Sequence, residues 1–392
     1  MIFFSQYKRF KKVYPKDIQI ATLIFAMQMA RKTILNTWSG ILMIPCICLS
    51  LYIIYKNRNV ISKATKGTKA IMWYALFAAF SFFWAIEKDP ATIFLKDLEL
   101  VCSYMSIAIV LFKIKEISLA YNYVIILCTL ACMLSIGRGV MAGLYFHTNS
   151  YTVPAFVGTI MSYCAWSKFH VKSAKTYLLL NFIALLIGTS SASYIAFLVA
   201  LCIYFTASKH GINIGKVLGV LVVSGALYAV GSNVIKDLVF YGKSEAEIQS
   251  GTGRDFIWSV FFNAWEKQPL IGYGYSIAER SFSAFAGQDS SFTSAHNGYL
   301  SLLVNTGVIG FLLFCPIFIR TLWQGLKYGN HGRYGLLCST MFACMIGVMV
   351  NNYAYPILGS DWNFAFPPII ALVILINTFS SKQQNIHLNR VF

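Results

Sequence analysis

Long apolar runs alternate with short basic segments along most of this chain of 392 residues. The runs are about 15 to 21 residues long, close to the length that an α-helix needs to cross a bilayer. Membrane β-barrels instead alternate apolar and polar residues, and these runs do not. Hydrophobic residues make up 57% of the chain and charged residues 12%, about half the charged fraction of a water-soluble domain. The pattern predicts an all-α, polytopic membrane protein.

The apolar runs give twelve candidate membrane spans. The first, Ile18–Ala30, is the weakest because Arg31 and Lys32 interrupt it. The others are Ser39–Tyr55, Ala70–Ile86, Leu98–Phe112, Tyr121–Ile136, Tyr151–Trp166, Thr176–Gly188, Ser193–Phe205, Val217–Val230, Tyr299–Ile319, Tyr334–Val350 and Asn363–Ile376. We therefore expect an N-terminal bundle over residues 1–230, a polar outer loop over 231–298 that carries the active site, and C-terminal helices over 299–392.

The distribution of basic residues predicts the orientation. The N-terminal residues 1–16 are basic and precede no signal-peptide cleavage site, so we expect a cytoplasmic anchor. With that end inside, the inner segments hold 22 Lys and Arg and the outer segments hold 10. This bias follows the positive-inside rule, and it places the loop 231–298 outside the cell or in the periplasm.

Several features of the sequence argue against other classes of protein and other kinds of site. The net charge of +18 lies mainly in short connectors, where it sets topology, so we expect no nucleic-acid partner. All ten cysteines fall inside apolar runs, so the polar segment holds neither a disulfide framework nor a metal-ligand spacing. Few ionisable residues lie in the spans and the two halves show no repeat, which argues against a lipid-glycan transporter.

The polar stretch Gly251–Ile309 carries the candidate chemistry. A helix is predicted from Arg254 to Trp265, ended by Pro269, and a sharp turn is predicted at Gly272-Tyr273-Gly274. Residues 281–293 are small and polar and are expected to form a mobile flap. His296 and Asn297 are expected at the start of the next helix.

Three side chains in this stretch are candidate site residues. Arg254, in the first turn of a helix, adds its charge to backbone N–H groups that favour anions, and a guanidinium binds phosphate in bidentate fashion. The alternative is an interfacial arginine that reaches lipid headgroups. His296 is a candidate general base, or else a capping residue. Arg280 is a weaker phosphate candidate because it lies beside Glu279 in a loop.

The stretch resembles the O-antigen ligase/O-antigen polymerase family. The resemblance rests on four motifs in order, which are Gly253-Arg254-x-x-x-Trp258, Pro269-Leu270-Ile271-Gly272-Tyr273-Gly274, Ala295-His296-Asn297-Gly298-Tyr299-Leu300 and Asn305-x-Gly307-x-x-Gly310. It implies glycan transfer from an undecaprenyl-pyrophosphate carrier at the periplasmic face of a bacterial inner membrane. It also implies inversion at the anomeric centre, without a metal, nucleotide sugar or other cofactor.

By position in these motifs, Arg254 would bind the carrier pyrophosphate and His296 would orient or deprotonate the acceptor hydroxyl. Arg280 would be a second pyrophosphate contact on chemical grounds alone. One departure is that relatives often carry Ser-Arg-Gly in the hairpin where this chain has Ser190-Ser191-Ala192. Either Arg280 or Arg138 would then supply the missing arginine.

Two activities of the family remain open. A polymerase joins lipid-linked repeat units into O-antigen, capsule or exopolysaccharide, and a ligase moves finished glycan onto lipid A-core. The compact outer loop and the sequence of the motif Ala295–Leu300 favour the polymerase. The partners implied are the lipid-linked donor, a glycan or lipid A-core acceptor, membrane lipid and a chain-length regulator.

Overall fold

The fold is a bundle of long helices with one short polar domain packed on one end. The computed structural model describes residues 16–33, 39–114, 116–142, 149–188, 190–208, 211–212, 215, 254–286, 294–329, 335–358 and 366–391. The expected basic anchor, the span Val217–Val230 and the loop residues 231–253 lie outside the described residues.

The described helices follow the apolar runs of the sequence. In chain order they are α1 (Lys16–Thr33), α2 (Ser39–Lys56), α3 (Ile61–Ala64), α4 (Ala70–Phe80), α5 (Pro90–Lys113), α6 (Ile117–Ala142), α7 (Asn149–Phe169), α8 (Lys172–Ile187), α9 (Ser191–Thr206), α10 (Arg254–Lys267), α11 (Phe282–Ala286), α12 (Gly298–Gly329), α13 (Gly335–Asn352) and α14 (Phe366–Val391). Single 3-10 turns lie at Arg58–Val60 and Ser81–Phe83. Among the described residues, the strand structure consists of two short antiparallel strands of two residues each, β1 (Ala207–Ser208) and β2 (Gly211–Ile212).

Eleven of the twelve expected spans coincide with a described helix, although the bounds of each helix differ from the expected ones. Helix α1 continues through Arg31 and Lys32 instead of ending before them. Helix α4 ends at Phe80 and a 3-10 turn follows, so the expected span to Ile86 is wrong over its last residues. Helix α5 begins at Pro90, because Asp89 caps it by accepting a hydrogen bond from the Thr92 N–H at 3.0 Å.

Within the described residues, three helices are long and apolar enough on their own to cross a membrane, namely Ile117–Ile136, Gly298–Gly329 and Gly335–Asn352. Five further apolar helices are shorter, and they include Ser191–Thr206 and Phe366–Thr378. These helices support a membrane-embedded bundle, while the number of twelve spans stays a prediction.

The bundle is held together by close helix packing with a few buried polar links. Helix α7 packs on α6 and α8, α9 packs on α13, and α12 packs on α4, α13 and α14. The amide of Asn181 donates to Thr129 Oγ1 at 2.7 Å, and that of Asn377 donates to Thr321 Oγ1 at 2.7 Å. Such hydrogen bonds from an amide to a hydroxyl group join neighbouring helices and fix their register.

Candidate active site on the outer end of the bundle

A second, smaller core lies outside the main bundle and positions helix α10. Ile257, Phe261 and Ala264 recur at helical spacing, and they are buried against the start of α12. The same cluster includes Ala278, Ala295, Leu300 and Val304. The expected helix from Arg254 to Trp265 is confirmed and extends to Lys267, two residues before Pro269.

A break in helix α12 explains two of the sequence motifs together. Gly307 has φ 65° and ψ −169°, so it interrupts the helix inside a long apolar run. The segment Pro269–Gly274 crosses this break and exchanges backbone hydrogen bonds with it. Tyr273 N–H donates to Val304 O at 2.8 Å, and Val308 N–H donates to Pro269 O at 2.8 Å. The segment Pro269–Gly274 thus forms hydrogen bonds with backbone N–H and C=O groups that lack a partner within the broken helix.

Glycine is required where the two segments cross. A Cβ at Gly272 would lie 2.6 Å from Val304 O, and one at Gly307 would overlap the Leu270 carbonyl. Gly272 and Gly274 both have positive φ, which confirms the expected sharp turn. The two motifs therefore form one structural unit.

The loop after α4 supports this crossing from the other side. Trp84 Nε1 donates to Ile271 O at 3.0 Å, and Ile86 N–H donates to Tyr273 O at 2.9 Å. Ser81 Oγ accepts from Tyr275 N–H at 2.9 Å. This is why α4 ends early: residues 81–86 leave the helical path and bind the polar domain.

Glu279 connects the His296 loop to helix α12. The side chain is buried, with 8% exposed. Its Oε1 accepts from Ala295 N–H at 2.7 Å, and its Oε2 accepts from Ser301 Oγ at 2.7 Å and Asn305 Nδ2 at 3.3 Å. A carboxylate that accepts several short hydrogen bonds holds its donors in a fixed geometry.

His296 lies directly before helix α12 in a constrained backbone conformation. Its φ is 48°, in the left-handed region that side chains other than glycine rarely adopt, and its N–H donates to Ser294 Oγ at 3.2 Å. Asn297 caps α12, because its Oδ1 accepts from the N–H groups of Tyr299 and Leu300 at 3.0 and 3.1 Å. The expectation that His296 and Asn297 begin this helix is confirmed.

The end of α13 packs against the corner formed by α10, the His296 loop and the start of α12. Gly298 leaves no room for a Cβ beside the Asn352 side chain, and Asn352 Oδ1 accepts from Ile357 and Leu358 N–H at 2.9 and 2.8 Å. The next residue, Tyr353, packs edge-on against Trp258 of α10 with ring centroids 5.1 Å apart. The segment that follows α13 thus contacts this part of the structure through Tyr353.

The hairpin between α8 and α9 is linked to this corner through polar side chains. Ser193 Oγ contacts Thr152 Oγ1 at 2.7 Å and accepts from Asn351 Nδ2 at 2.9 Å. Ser190 and Ser191 are buried, so the hairpin without an arginine packs as part of the bundle. This arrangement matches the turn between helices packed through small residues.

The structure places the helix that begins with Arg254 beside the loop that holds His296. Trp258 Nε1 donates to Ala295 O at 2.9 Å, which fixes α10 against the residue that precedes His296. Arg254 begins α10 one turn before Trp258 and lies on the same side of the helix. The guanidinium is half-buried, and loss of solvent lowers the pKa of Arg254 from its usual value. Among the described residues, none forms an ion pair with it.

Arg280 lies at the edge of this corner. Its side chain is exposed, whereas its neighbour Glu279 is buried. The side chain and N–H of Thr92 lower the pKa of Asp89, and the positive charge of Arg280 adds to that effect. The Arg280 guanidinium is therefore close to an acid of the loop before α5. Arg138 lies near the end of α6, and its side chain is outside the described residues.

The comparison with protein families decides the identity of this segment. Residues 176–315 match the family model described as O-Antigen ligase. This segment belongs to the O-antigen ligase family. The match confirms the resemblance read from the four motifs, and it extends from α8 through the hairpin to the break in α12. A comparison with curated proteins gave no match.

The match over residues 176–315 supports a function of the O-antigen ligase or polymerase type in general. Together with the apolar helices, it supports an integral membrane protein. Among the described residues, no group of three or more His, Cys, Asp and Glu side chains is arranged to hold a metal ion.

Two features of the site were not foreseen from the sequence. Glu279 was interpreted only as a neighbour that weakens the case for Arg280, although it holds the His296 loop. The expected flap 281–293 is wrong at its start, because residues Phe282–Ala286 form helix α11, and residues 287–293 lie outside the described ones. The sequence signal that could have indicated this role of Glu279 is its position, as an acidic residue directly before a polar loop.

Proposed function

We propose that the protein is a polymerase that joins undecaprenyl-pyrophosphate-linked oligosaccharide repeat units into O-antigen, capsule or exopolysaccharide. The reaction would take place at the periplasmic face of a bacterial inner membrane, at the outer corner formed by α10, the His296 loop and α12. Under this proposal, residues 1–230 form the supporting bundle, 231–298 the active-site loop and 299–392 the closing helices.

One observation carries the proposal. The hydrogen bond from Trp258 to Ala295 O joins the helix that begins with Arg254 to the loop that presents His296. Arg254 and His296 are 42 positions apart in the chain. This contact supports a site in which a cation suited to phosphate acts together with a group able to accept a proton. Transfer from a pyrophosphate carrier needs both functions.

The chemistry assigned to each residue follows from its type. The acceptor hydroxyl oxygen attacks the anomeric carbon of the donor as the bond from that carbon to the pyrophosphate oxygen breaks. Arg254 stabilises the negative charge on the departing pyrophosphate, and a partly desolvated guanidinium does so more strongly than one in water. His296 takes the hydroxyl proton and passes it to solvent. Attack opposite the leaving group inverts the anomeric centre.

Arg280 is the proposed second pyrophosphate contact. Its exposure allows its side chain to reach a ligand, and its proximity to Asp89 offers it a competing partner. Its contribution is therefore expected to be smaller than that of Arg254. We include Arg138 as the alternative source of the missing hairpin arginine.

A ligase that transfers lipid-linked glycan onto lipid A-core is the second candidate. The observation that favours it is the description of the matching family model, O-Antigen ligase. The two activities share donor and chemistry and differ in the acceptor. A chain-length regulator is a proposed partner of the polymerase.

The test is transfer by the purified full-length protein in lipid nanodiscs with lipid-linked repeat units as substrate. We expect His296→Ala and Arg254→Ala each to lower the rate at least about 100-fold, because each removes a group that acts in the transition state. Lys267→Ala, an exposed lysine on the same helix, is the control and should retain the wild-type rate. Wild-type transfer by both site variants would refute the proposal, and a transporter would tolerate His296→Ala.

Deletion of the gene separates the two candidates. Loss of a polymerase leaves lipopolysaccharide capped with one repeat unit or removes the capsule. Loss of a ligase leaves long glycan chains attached to the carrier lipid.

A further inference from the structure

An open apolar groove lies between α7, α8 and α9, away from the loop that holds His296. Its volume is about 630 Å³, within the range of about 300–1,000 Å³ typical of ligand sites. It is lined by Thr159–Trp166 of α7, Lys175–Phe182 of α8 and Phe197–Phe205 of α9, and most of these side chains are aliphatic or aromatic.

The groove runs along the helices rather than across them. Helices α7 and α8 are antiparallel. Gly188, directly after the end of α8, lies against Thr152 near the start of α7. At the other end, Val171 N–H, directly before α8, donates to Ala165 O near the end of α7. Ser193 contacts Thr152, so α9 runs parallel to α7. The ends of α7 and α9 and the start of α8 therefore meet at one end of the groove, which we call the lysine mouth after Lys168, Lys172 and Lys175.

The length of the groove matches one leaflet of a bilayer. Each lining segment covers seven or eight residue steps, or roughly 10–12 Å at 1.5 Å per residue. The hydrocarbon core of a bilayer is about 30 Å thick, so one leaflet is about 15 Å. Exposed Leu179 and Phe182 within the groove face the medium that surrounds the bundle. An acyl chain that enters from the mouth would lie along this wall.

The charge at the mouth selects the headgroup. Lys168, Lys172 and Lys175 are all exposed, and Lys175 lines the groove itself. The sequence contains no Asp or Glu between Glu116 and Asp237, so α7, α8 and α9 carry no acidic side chain and basic residues supply the charge of these helices. Trp166 lies at the same end, where aromatic side chains favour the boundary between headgroups and hydrocarbon.

We propose that this groove binds an anionic phospholipid, with one acyl chain between α7, α8 and α9 and its phosphate at the lysine mouth. Basic pockets between membrane helices recognise anionic headgroups through the same chemistry. The proposal rests on the groove and its charge, and it does not depend on the proposed glycan transfer.

The test compares two lipids with the same acyl chains, phosphatidylglycerol and phosphatidylcholine, titrated into the delipidated full-length protein and followed by native mass spectrometry. We expect saturable binding of phosphatidylglycerol at least about 10-fold tighter than that of phosphatidylcholine. Equal affinity for the two lipids would overturn the proposal.

Variants separate the headgroup from the chain. Lys175→Gln should lower the affinity for phosphatidylglycerol about 5-fold and leave that for phosphatidylcholine unchanged. Leu179→Trp, at an exposed position in the groove, should lower the affinity for both lipids by filling the chain site. Lys63→Gln, an exposed lysine on α3 outside the groove, is the control for a general loss of charge. Unchanged phosphatidylglycerol affinity in Lys175→Gln, or in Leu179→Trp, would contradict the proposal.

Discussion

At the scale of single residues, the site depends on a buried acid that takes no direct part in the proposed chemistry. Glu279 accepts hydrogen bonds from the backbone before His296 and from two side chains of α12. Its carboxylate therefore fixes the position from which the imidazole can act. It is a positioning residue rather than a catalytic one.

The substitution Glu279→Gln tests this role. A glutamine keeps the shape but offers an NH2 group toward a donor, so at least one buried hydrogen bond is lost at a cost of about 1–3 kcal/mol. We expect kcat for glycan transfer to fall about 10-fold or more while KM for the lipid-linked donor stays unchanged. Glu266→Gln, an exposed acid on α10, is the matched control. A rise in KM with unchanged kcat would show that Glu279 serves donor binding instead.

A second residue-scale prediction concerns Trp258. Phenylalanine at this position keeps the edge-on contact with Tyr353 but removes the donor to Ala295 O. A typical buried hydrogen bond contributes about 0.5–1.5 kcal/mol, so we expect a modest fall in the thermal midpoint and a larger relative loss of transfer rate. Unchanged rates in Trp258→Phe would mean that this bond does not position Arg254 relative to His296.

At the scale of elements, the sequence predicted which segments are helical but not how they join. Apolar run length and the Asn297 cap gave the bounds of α10 and the start of α12. The break at Gly307 could not be read, because Asn305, Thr306 and Gly307 are residue types that also occur inside unbroken membrane helices. The crossing of Pro269–Gly274 over that break is a contact between distant segments, and one sequence contains no direct signal for such pairing.

The crossing predicts a large effect for Gly307→Ala. The added methyl group would overlap the Leu270 carbonyl, and a non-glycine residue at φ 65° carries backbone strain of about 1–3 kcal/mol. We expect a thermal midpoint well below that of the wild type in detergent, together with loss of transfer. Leu312→Ala, at an exposed position of the same helix, should change the midpoint little. A wild-type midpoint for Gly307→Ala would show that the two segments do not cross as described.

At the scale of the whole molecule, the polar corner rests on three parts of the bundle. Residues 81–86 bind the Pro269–Gly274 segment, Asn351 and Asn352 bind the α8–α9 hairpin and the α12 start, and α12 continues into the core. Each link crosses a long distance in sequence. Composition and periodicity were therefore sufficient for the membrane bundle, whereas the assembly of the corner required the three-dimensional structure.

The bias of 22 to 10 in Lys and Arg predicts the orientation of the whole molecule, and this prediction is testable without measuring activity. A cysteine introduced at exposed Ser283, in α11, should react with a membrane-impermeant maleimide added to intact spheroplasts. A cysteine at exposed Lys63, in a connector expected inside, should react only after the membrane is permeabilised. The wild-type protein, whose ten cysteines lie in apolar runs, sets the background. The reverse pattern would place the Arg254 and His296 corner in the cytoplasm, where a periplasmic polymerase or ligase could not work.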